Sequence, residues 1–214
     1  MHYLRNIADI QAIKPYVVQG KRAVIIGGGY IGLETAASLK KLGMDVVVLE
    51  MAERVLQRVT APELSAFYTR IHQQEGVNIY TQMSVTEICG QQQVSHVKCA
   101  DGRQFAADLV IIGIGVVPNV ELAEQAGLAV TNGIIVDEFS QTNDPNIVAA
   151  GDCANHFNAI YQQRMRLESV PNASEQAKSA AAAICGVYKS YKSLPWFWSD
   201  QYDLKLQIAG LSQG

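Results

Sequence analysis

Three glycines at fixed spacing form the strongest chemical signal in the sequence. Gly27, Gly29 and Gly32 directly follow the apolar, β-branched run Ala23-Val24-Ile25-Ile26 and open a segment with helical spacing. In this pattern the first glycine permits a tight turn, the second lets backbone approach a pyrophosphate, and the third allows close helix–strand packing. The helix N-terminus adds N–H groups and a positive dipole end. The pattern predicts a dinucleotide-binding βαβ unit, although similar strings also occur in plain turns of α/β units that bind no nucleotide.

Glu50 indicates which dinucleotide this unit would accept. It stands 18 residues after Gly32, at the end of the second apolar run Val46-Val47-Val48-Leu49. A carboxylate there accepts hydrogen bonds from a ribose and would repel a 2′-phosphate, which favours NAD(H) over NADP(H). Arg54 and Arg58 keep the second cofactor open, because a nearby arginine accommodates a phosphate.

Two further sites are weaker candidates. Glu34 falls in the first turn of the predicted helix, where a carboxylate also simply stabilises the helix dipole. Gly113-Ile114-Gly115 ends another apolar run, and the strand ends of that sheet edge are where open α/β sheets bind ligands. A mere turn is the alternative interpretation of these glycines.

Composition excludes several other functions. The chain has 214 residues, 49% hydrophobic and 17% charged, with a net charge of −3, which fits neither disorder nor a nucleic-acid or membrane surface. No apolar run approaches the roughly 20 residues of a membrane helix, and the first residues lack a signal-peptide pattern, so we expect a cytoplasmic protein. Cysteines at 89, 99, 153 and 185 are too widely spaced for a redox pair or a zinc site.

The periodicity of apolar residues predicts an α/β protein with an inserted β-meander. Helices are expected over Asn6–Gln19, from Ile31 to Gly43, over Pro62–Glu75, around Glu121–Ala126 and over Ala173–Ile184, the last one preceded by Asn172. Buried strands are expected at 23–26, 46–49 and 109–112, and meander strands at 77–79, 85–88 and 94–97. Later strands are expected at 134–136, 147–150, 196–198 and 204–208.

Four strings together resemble one family. They are the glycine segment 27–34, Gly113-Ile114-Gly115-Val116-Val117-Pro118-Asn119, Ala149-Ala150-Gly151-Asp152 and Pro195-Trp196-Phe197-Trp198-Ser199-Asp200-Gln201-Tyr202. They resemble the FAD- and NADH-dependent ferredoxin, rubredoxin and putidaredoxin-type reductases of bacterial oxygenase systems, which have a Rossmann-like fold in the pyridine nucleotide-disulfide oxidoreductase family. The resemblance implies hydride transfer from NADH to FAD, without a catalytic side chain.

The resemblance also assigns residues. For NAD it implies the segment Gly27, Gly29, Tyr30, Ile31 and Gly32, then Glu34 near the nicotinamide, Glu50, Arg58, Gly113, Ile114 and Gly115. For FAD it implies Arg5, Gly151, Asp152, Val170 and Trp198, with the helix near Asn172 aimed at the flavin. Pro171 stands where the family leads us to expect glutamine, so we expect an altered loop there. Without the family, the residues alone would favour a solvated surface cation at Arg5, an ordinary turn residue at Asp152 and core positions for the two tryptophans.

Length is the main departure from this family, whose members are roughly twice as long and carry a second glycine pattern for FAD. We therefore expect a lead-in at 1–18, an NADH-binding domain at 19–133 and an incomplete returning part of the FAD-binding domain at 134–214. The abrupt ending at Gly214 is interpreted as a cut. The parent would be a reductase with a ferredoxin or rubredoxin partner, and the alternative is a catalytically silent NAD-binding or assembly module. Unpaired sheet edges would favour self-association.

Overall fold

The computed structural model describes residues 1–211 and divides the chain into two compact units. The first unit contains residues 1–115 together with 199–206. The second contains residues 116–198 together with 207–211. The ending at Gly214 lies outside the described residues.

The described residues form helices and strands in the following order. The helices are α1 (Ile7–Ile13), α2 (Tyr30–Lys41), α3 (Pro62–Gln74), α4 (Glu121–Gln125) and α5 (Val170–Ile184), with 3-10 turns at Lys14–Tyr16 and Gly151–Cys153. The strands are β1 (His2–Tyr3), β2 (Arg22–Ile26), β3 (Asp45–Leu49), β4 (Asn78–Tyr80), β5 (Val85–Gly90), β6 (Val94–Cys99), β7 (Gln104–Ala106), β8 (Leu109–Ile112), β9 (Ile134–Ile135), β10 (Ala154–Asn158), β11 (Gln163–Met165), β12 (Trp196–Gln201) and β13 (Leu204–Ala209).

A five-stranded parallel sheet organises the first unit. Its strand order is β1-β8-β2-β3-β4, so that β2 lies between β8 and β3. Ile26 is in register with Leu49 on one side and with Ile112 on the other. The carboxyl ends of these three strands therefore meet at one edge, and the predicted parallel α/β fold is confirmed.

Each face of this sheet buries a separate apolar cluster. Ile25, Val48 and Ile111 point to the face that packs against helices, including Leu33 of α2 and Tyr68 of α3. The opposite face is covered by the antiparallel sheet β5-β6-β7. The buried apolar cluster between the two sheets consists of Val24, Leu49, Met83, Val97, Cys99, Ala107 and Val110. Because the strands are buried on both faces, they are apolar runs without alternation.

The meander is confirmed, with one correction. Residues 77–79 were expected to be its first strand, but Asn78–Tyr80 form β4, which pairs in parallel with β3. The third meander strand is Gln104–Ala106, which pairs with β6. A three-residue apolar strand fits either sheet by its pattern, so its partner decides the assignment.

The second unit contains the small sheet β11-β10-β9 and α5. The prediction of a strand at 147–150 is wrong. Of these four residues only Val148 pairs, in an isolated β-bridge with Gln141. Conversely, β10 and β11 were not expected. They form an antiparallel pair in which His156 is in register with Met165.

Helix α5 begins three residues before the expected Ala173. Ser169 caps it by accepting a hydrogen bond from the Asn172 N–H at 3.3 Å. Pro171 lies within the first turn, where its missing N–H would have no helical acceptor and its fixed φ suits the helix. The proline is therefore accommodated as part of the helix start, whereas an altered loop was expected.

Candidate functional site

The glycine segment and two other loops meet at the carboxyl edge of the parallel sheet. The Gly27 N–H donates to the Leu49 carbonyl at 2.8 Å, and the Gly113 N–H donates to the Ile26 carbonyl at 2.8 Å. These bonds fix the loops that follow β2 and β8 beside one another. The structure thus brings Gly27, Gly113 and Glu50, which follows β3, to the same edge.

Gly27 and Gly32 are required by the backbone itself. Gly27 has φ +110°, and a Cβ there would lie 2.3 Å from the Gly113 carbonyl oxygen. A Cβ on Gly32 would lie 2.1 Å from the Gly27 carbonyl oxygen. The turn and the start of α2 can therefore pack this closely only without these side chains.

Gly29 differs from these two glycines. Within residues 1–211, and apart from Gly29 and its two chain neighbours, no atom lies within 4 Å of a Cβ built on it, and its φ of −77° is open to any residue. It is the N-cap of α2, which has no side-chain cap, and the first helical bond runs from the Leu33 N–H to the Gly29 carbonyl. The N–H groups of Ile31 and Gly32 thus have no helical acceptor. Open space at an uncapped helix N-terminus fits the pyrophosphate of a dinucleotide.

The Glu50 carboxylate is held in place by two backbone N–H groups. Gly28 donates to Oε2 at 2.6 Å and Ala52 donates to Oε1 at 2.7 Å. Each carboxylate oxygen retains acceptor capacity for a ribose hydroxyl. Gly28 was not given a role from the sequence, yet a Cβ on it would lie 2.9 Å from Val55 and 3.1 Å from the Glu50 carboxylate. The sequence signal for the role of this residue was that it is a glycine, placed between Gly27 and Gly29.

The two arginines in the following loop differ in what they contact. The Arg54 guanidinium donates to the Thr60 carbonyl at 2.9 Å, to the Ser65 hydroxyl at 2.6 Å and to the Gln57 carbonyl at 3.2 Å. These bonds commit Arg54 to the structure of its own loop. The Arg58 guanidinium lies 3.5 Å from a Cβ built on Gly115, so it reaches the loop after β8. The engagement of the Arg54 guanidinium favours NAD(H) over NADP(H), for which an arginine would have to contact a 2′-phosphate.

Replacing Glu50 by glutamine is expected to weaken NADH binding about tenfold and to reduce the preference for NADH over NADPH. The amide removes the charge that repels a 2′-phosphate and supplies only one acceptor oxygen, at a cost of about 1.5–3 kcal/mol for a bond to a charged group. Calorimetric titration with both nucleotides measures the effect. Glu53→Gln is the control, because it makes the same charge change on an exposed residue of the same loop. Equal affinities in the two variants would contradict the assignment of Glu50.

Glu34 lies within α2 and is partly buried. Burial raises the pKa of its carboxyl group, while a hydrogen bond from the Ser199 hydroxyl at 2.6 Å acts in the opposite direction. Ser199 is separated from Glu34 by 165 residues and was not given a role from the sequence. Only its place in the Trp-Phe-Trp-Ser-Asp-Gln string pointed to it.

The other predicted nucleotide residues lie beside these groups. Ile31 is in the first turn of α2, and Ile114 is 65% exposed in the loop between Gly113 and Gly115. Tyr30 begins α2 and packs against the helix-side core. An exposed isoleucine in this loop offers an apolar contact at the same sheet edge.

The residues predicted for FAD are distributed over both units. Arg5 is an exposed residue of the first unit, and its N–H donates to Asp9 in the capping interaction of α1. Gly151 and Asp152 form a 3-10 turn in the second unit, where the Gly151 N–H donates to Gln176 of α5 at 2.8 Å. Trp198 is 38% exposed, and its ring centroid lies 5.5 Å from that of Trp196.

At the N-terminus of α5, the Val170 backbone N–H is the group placed to donate a hydrogen bond to a flavin. The Ser169 hydroxyl accepts a hydrogen bond from the Asn172 N–H, and Pro171 has no N–H group. Val170 is the first residue of α5, where a backbone N–H has no acceptor within the helix, and it is 63% exposed. Asn172 is buried and fixed, since it donates to the Leu167 carbonyl at 3.0 Å and accepts from the Tyr191 hydroxyl at 2.8 Å. The geometry is compatible with the predicted backbone contact from Val170.

The described part of the chain has neither a membrane-spanning helix nor a cluster of metal-ligating side chains. None of its helices is both long and apolar enough to span a membrane. Residues 1–211 also contain no group of three or more histidine, cysteine, aspartate or glutamate side chains placed to hold a metal ion.

Comparison of the sequence with known families identifies two matches. The pyridine nucleotide-disulphide oxidoreductase family matches residues 1–177, and the reductase C-terminal family matches residues 196–214. Putidaredoxin reductase CamA of Pseudomonas putida is 50% identical over 99% of this chain and 51% of its own length. A rubredoxin-NAD(+) reductase of Pseudomonas putida is 37% identical over 97% of this chain and 54% of its own length. The chain spans about half the length of these curated relatives.

Solved structures show the same relationship. The structure of a covalent putidaredoxin reductase–putidaredoxin complex superimposes with a TM-score of 0.95 at 50% identity, covering 99% of this chain and 52% of that one. A ferredoxin reductase from Rhodopseudomonas palustris gives a TM-score of 0.96 at 43% identity, covering all of this chain and 53% of that one. The similarity therefore extends through both units.

Proposed function

Because this chain belongs to the pyridine nucleotide-disulphide oxidoreductase family, we propose that it is the NADH-binding part of a FAD-dependent reductase. The electron acceptor would be a ferredoxin or rubredoxin that serves an oxygenase. The names of the relatives support this, because putidaredoxin reductase, ferredoxin reductases and rubredoxin reductase all align along almost the whole chain. A cytoplasmic location stays a prediction.

One observation carries the nucleotide assignment. The open space at Gly29 lies at the uncapped start of α2, and the adjacent Gly28 N–H holds the Glu50 carboxylate at 2.6 Å. The first element suits a pyrophosphate and the second suits a ribose diol. Both elements involve backbone groups of the chain itself, and this supports the proposed nucleotide site.

FAD, when bound, supplies the redox chemistry of such enzymes, which is the acceptance of a hydride and the release of single electrons. The residues of this chain would bind and orient the nucleotide and the flavin. Gly29 and the first turn of α2 would hold the pyrophosphate, Glu50 the ribose and Glu34 the nicotinamide end. For the flavin, the Val170 N–H would be the backbone donor, and Gly151, Asp152, Arg5 and Trp198 stay predicted contacts.

An absorbance measurement tests how much of the reductase this chain retains. The purified chain is incubated with excess FAD, desalted, and its visible spectrum recorded before and after NADH is added. We expect a colourless protein that binds NADH in a calorimetric titration, because the chain carries one glycine pattern and spans half of its relatives. Retained flavin bands that bleach with NADH would overturn the expectation of an incomplete FAD site. Absence of NADH binding would overturn the nucleotide assignment.

A catalytically silent NAD-binding or assembly module is the second candidate. Turnover of a dye acceptor by NADH without added partners would favour the enzyme. NADH binding without turnover would favour the module. Self-association through unpaired sheet edges stays a prediction for either candidate.

A further inference from the structure

A continuous chain of hydrogen bonds in the first unit ends on the Glu34 carboxylate. The Tyr202 hydroxyl lies 2.9 Å from Nδ1 of His72, and Nε2 of His72 lies 2.8 Å from Oε1 of Gln201. Nε2 of Gln201 lies 3.0 Å from the Ser199 hydroxyl, which lies 2.6 Å from Oε1 of Glu34. The chain links the hairpin of β12 and β13 to α3 through His72 and to α2 through Glu34.

When the Glu34 carboxyl group is ionised, every donor in this hydrogen-bond chain points toward Glu34. A carboxylate only accepts, so the single proton of Ser199 must go to Glu34, and Ser199 must accept from the Gln201 amide. Gln201 then presents its carbonyl oxygen to His72. His72 therefore carries its proton on Nε2 and accepts from the Tyr202 hydroxyl at Nδ1. The charge at one end thus fixes the orientation of every group.

Burial makes this order costly to break. Ser199, Gln201 and His72 are each 0% exposed. A buried polar group that loses its partner destabilises the fold, since no water replaces the lost bond. Burial also lowers the pKa of His72, which keeps the ring neutral and able to accept at Nδ1.

The far end of the chain is anchored by a backbone conformation that side chains rarely adopt. Tyr202 has φ +58° at the turn between β12 and β13, a left-handed conformation that is unfavourable for a non-glycine residue. Three contacts hold it there. Its carbonyl accepts from Lys41 Nζ at 2.7 Å, its hydroxyl bonds to His72, and its ring packs edge-on against His72 at 5.0 Å between centroids. Such a conformation persists only where its surroundings determine it.

We propose that Ser199 is a positioning residue that fixes the Glu34 carboxylate, through a one-way hydrogen-bond chain that starts at the Tyr202 hydroxyl. The role at the nicotinamide end rests on the proposed function, in which Glu34 faces that part of NADH. Gln201 and His72 serve to keep the Ser199 hydroxyl in its donating orientation. No covalent step is involved.

Several groups act on Glu34 besides Ser199. The Asp200 carboxylate raises the pKa of Glu34 by repulsion, while the Asp200 N–H lowers it by hydrogen bonding. The phenols of Tyr30 and Tyr68 also lie close enough for the Glu34 charge to raise their own pKa values. At the other end, His72 is influenced by Gln201 and by the Glu75 carboxylate, which both favour its protonation and are outweighed by burial.

The first test follows the Glu34 carboxyl by carbon-13 NMR across a pH titration of the full chain without nucleotide. In Ser199→Ala the titration is expected to move to higher pH, because the carboxylate loses a donor while its burial remains. Ser199→Thr keeps a hydroxyl and is expected to restore the titration. Ser38→Ala is the matched control, since the Ser38 hydroxyl donates to the Glu34 backbone carbonyl at 2.9 Å and leaves the carboxylate untouched. Equal titrations in Ser199→Ala and Ser38→Ala would overturn the proposal.

A second measurement needs no variant. Nitrogen-15 NMR of the imidazole ring distinguishes the two neutral tautomers, and the proposal requires the proton on Nε2 of His72 at neutral pH. A proton on Nδ1, or a charged ring, would overturn it. This result stands even if Ser199→Ala fails to fold.

Calorimetric titration with NADH between pH 5 and 9, roughly the range in which most proteins stay folded, then separates this proposal from the proposed function. We expect Ser199→Ala to move the pH dependence of NADH affinity upward, and Glu34→Gln to remove it. If the unmodified chain does not bind NADH, the proposed function fails while the two NMR results still decide the role of Ser199. If NADH binds with the same pH dependence in all variants, Glu34 does not face the nicotinamide and the positioning role in binding is refuted.

Discussion

Replacing Gly29 by valine is expected to lower the NADH affinity about a hundredfold while the chain stays folded. The new side chain meets no atom of the protein within 4 Å of its Cβ, and the backbone conformation suits any residue. It fills the space that the pyrophosphate needs at the start of α2. Loss of two hydrogen bonds to a charged group, at about 1.5 kcal/mol each, corresponds to roughly this factor. Calorimetry with NADH measures it.

Folding and binding are separated by a smaller variant at the same position. Gly29→Ser is expected to keep or improve the stability of α2, because serine is a preferred N-cap residue, and to weaken binding less than valine does. Valine lacks a capping group, so we expect up to about 1 kcal/mol of destabilisation in Gly29→Val. Undiminished NADH affinity in both variants would place the nucleotide elsewhere.

Gly32→Ala is expected to destabilise the first unit by about 3 kcal/mol. Helix propensity alone predicts the opposite sign, since alanine is about 1 kcal/mol better than glycine inside a helix. The added Cβ would, however, lie 2.1 Å from the Gly27 carbonyl oxygen, which is backbone and cannot rotate away. Gly27 in turn lies against the Gly113 carbonyl, so relief of the contact requires α2 to move off the sheet. Steric overpacking therefore outweighs propensity.

Urea denaturation followed by far-UV circular dichroism measures this loss. Gly29→Ala is the matched control, because it adds the same methyl group three residues earlier with nothing in its way. A Gly32→Ala variant as stable as the unmodified chain would show that the start of α2 yields easily, and would remove the packing argument for this glycine.

The arrangement of the glycine segment and Glu50 at one sheet edge could be predicted from the sequence because its determinants are local. The strand ending at Ile26, the glycine turn, α2 and the strand ending at Leu49 follow one another within 30 residues, and each carries its own pattern. The buried parallel strands are continuous apolar runs, and the positive φ of Gly27 is of a kind that only glycine adopts readily. Glu50 then falls at the edge by counting along the chain.

The features that the sequence did not predict correctly depend mainly on contacts between residues distant in sequence. Residues 77–79 have the pattern of any short strand, and only pairing with β3 places β4 in the parallel sheet. Residues 147–150 have the same apolar character but lack a continuous neighbour, so they do not form a strand. The Ser199–Glu34 bond joins residues whose proximity no local pattern encodes. The early start of α5 was missed because proline was taken as a loop signal, although it is suited to a first helical turn.

The assignment of residues 199–206 to the first unit limits how such proteins can exchange parts. These residues follow residues 116–198 of the second unit in the chain, yet Leu204 and Leu206 pack against the core that contains Leu33 and Tyr68. A chimera that takes residues 1–115 from one relative and the hairpin from another would bury His72 opposite side chains selected for a different neighbour. We therefore expect recombination to succeed only when the hairpin is inherited from the same parent as the glycine segment.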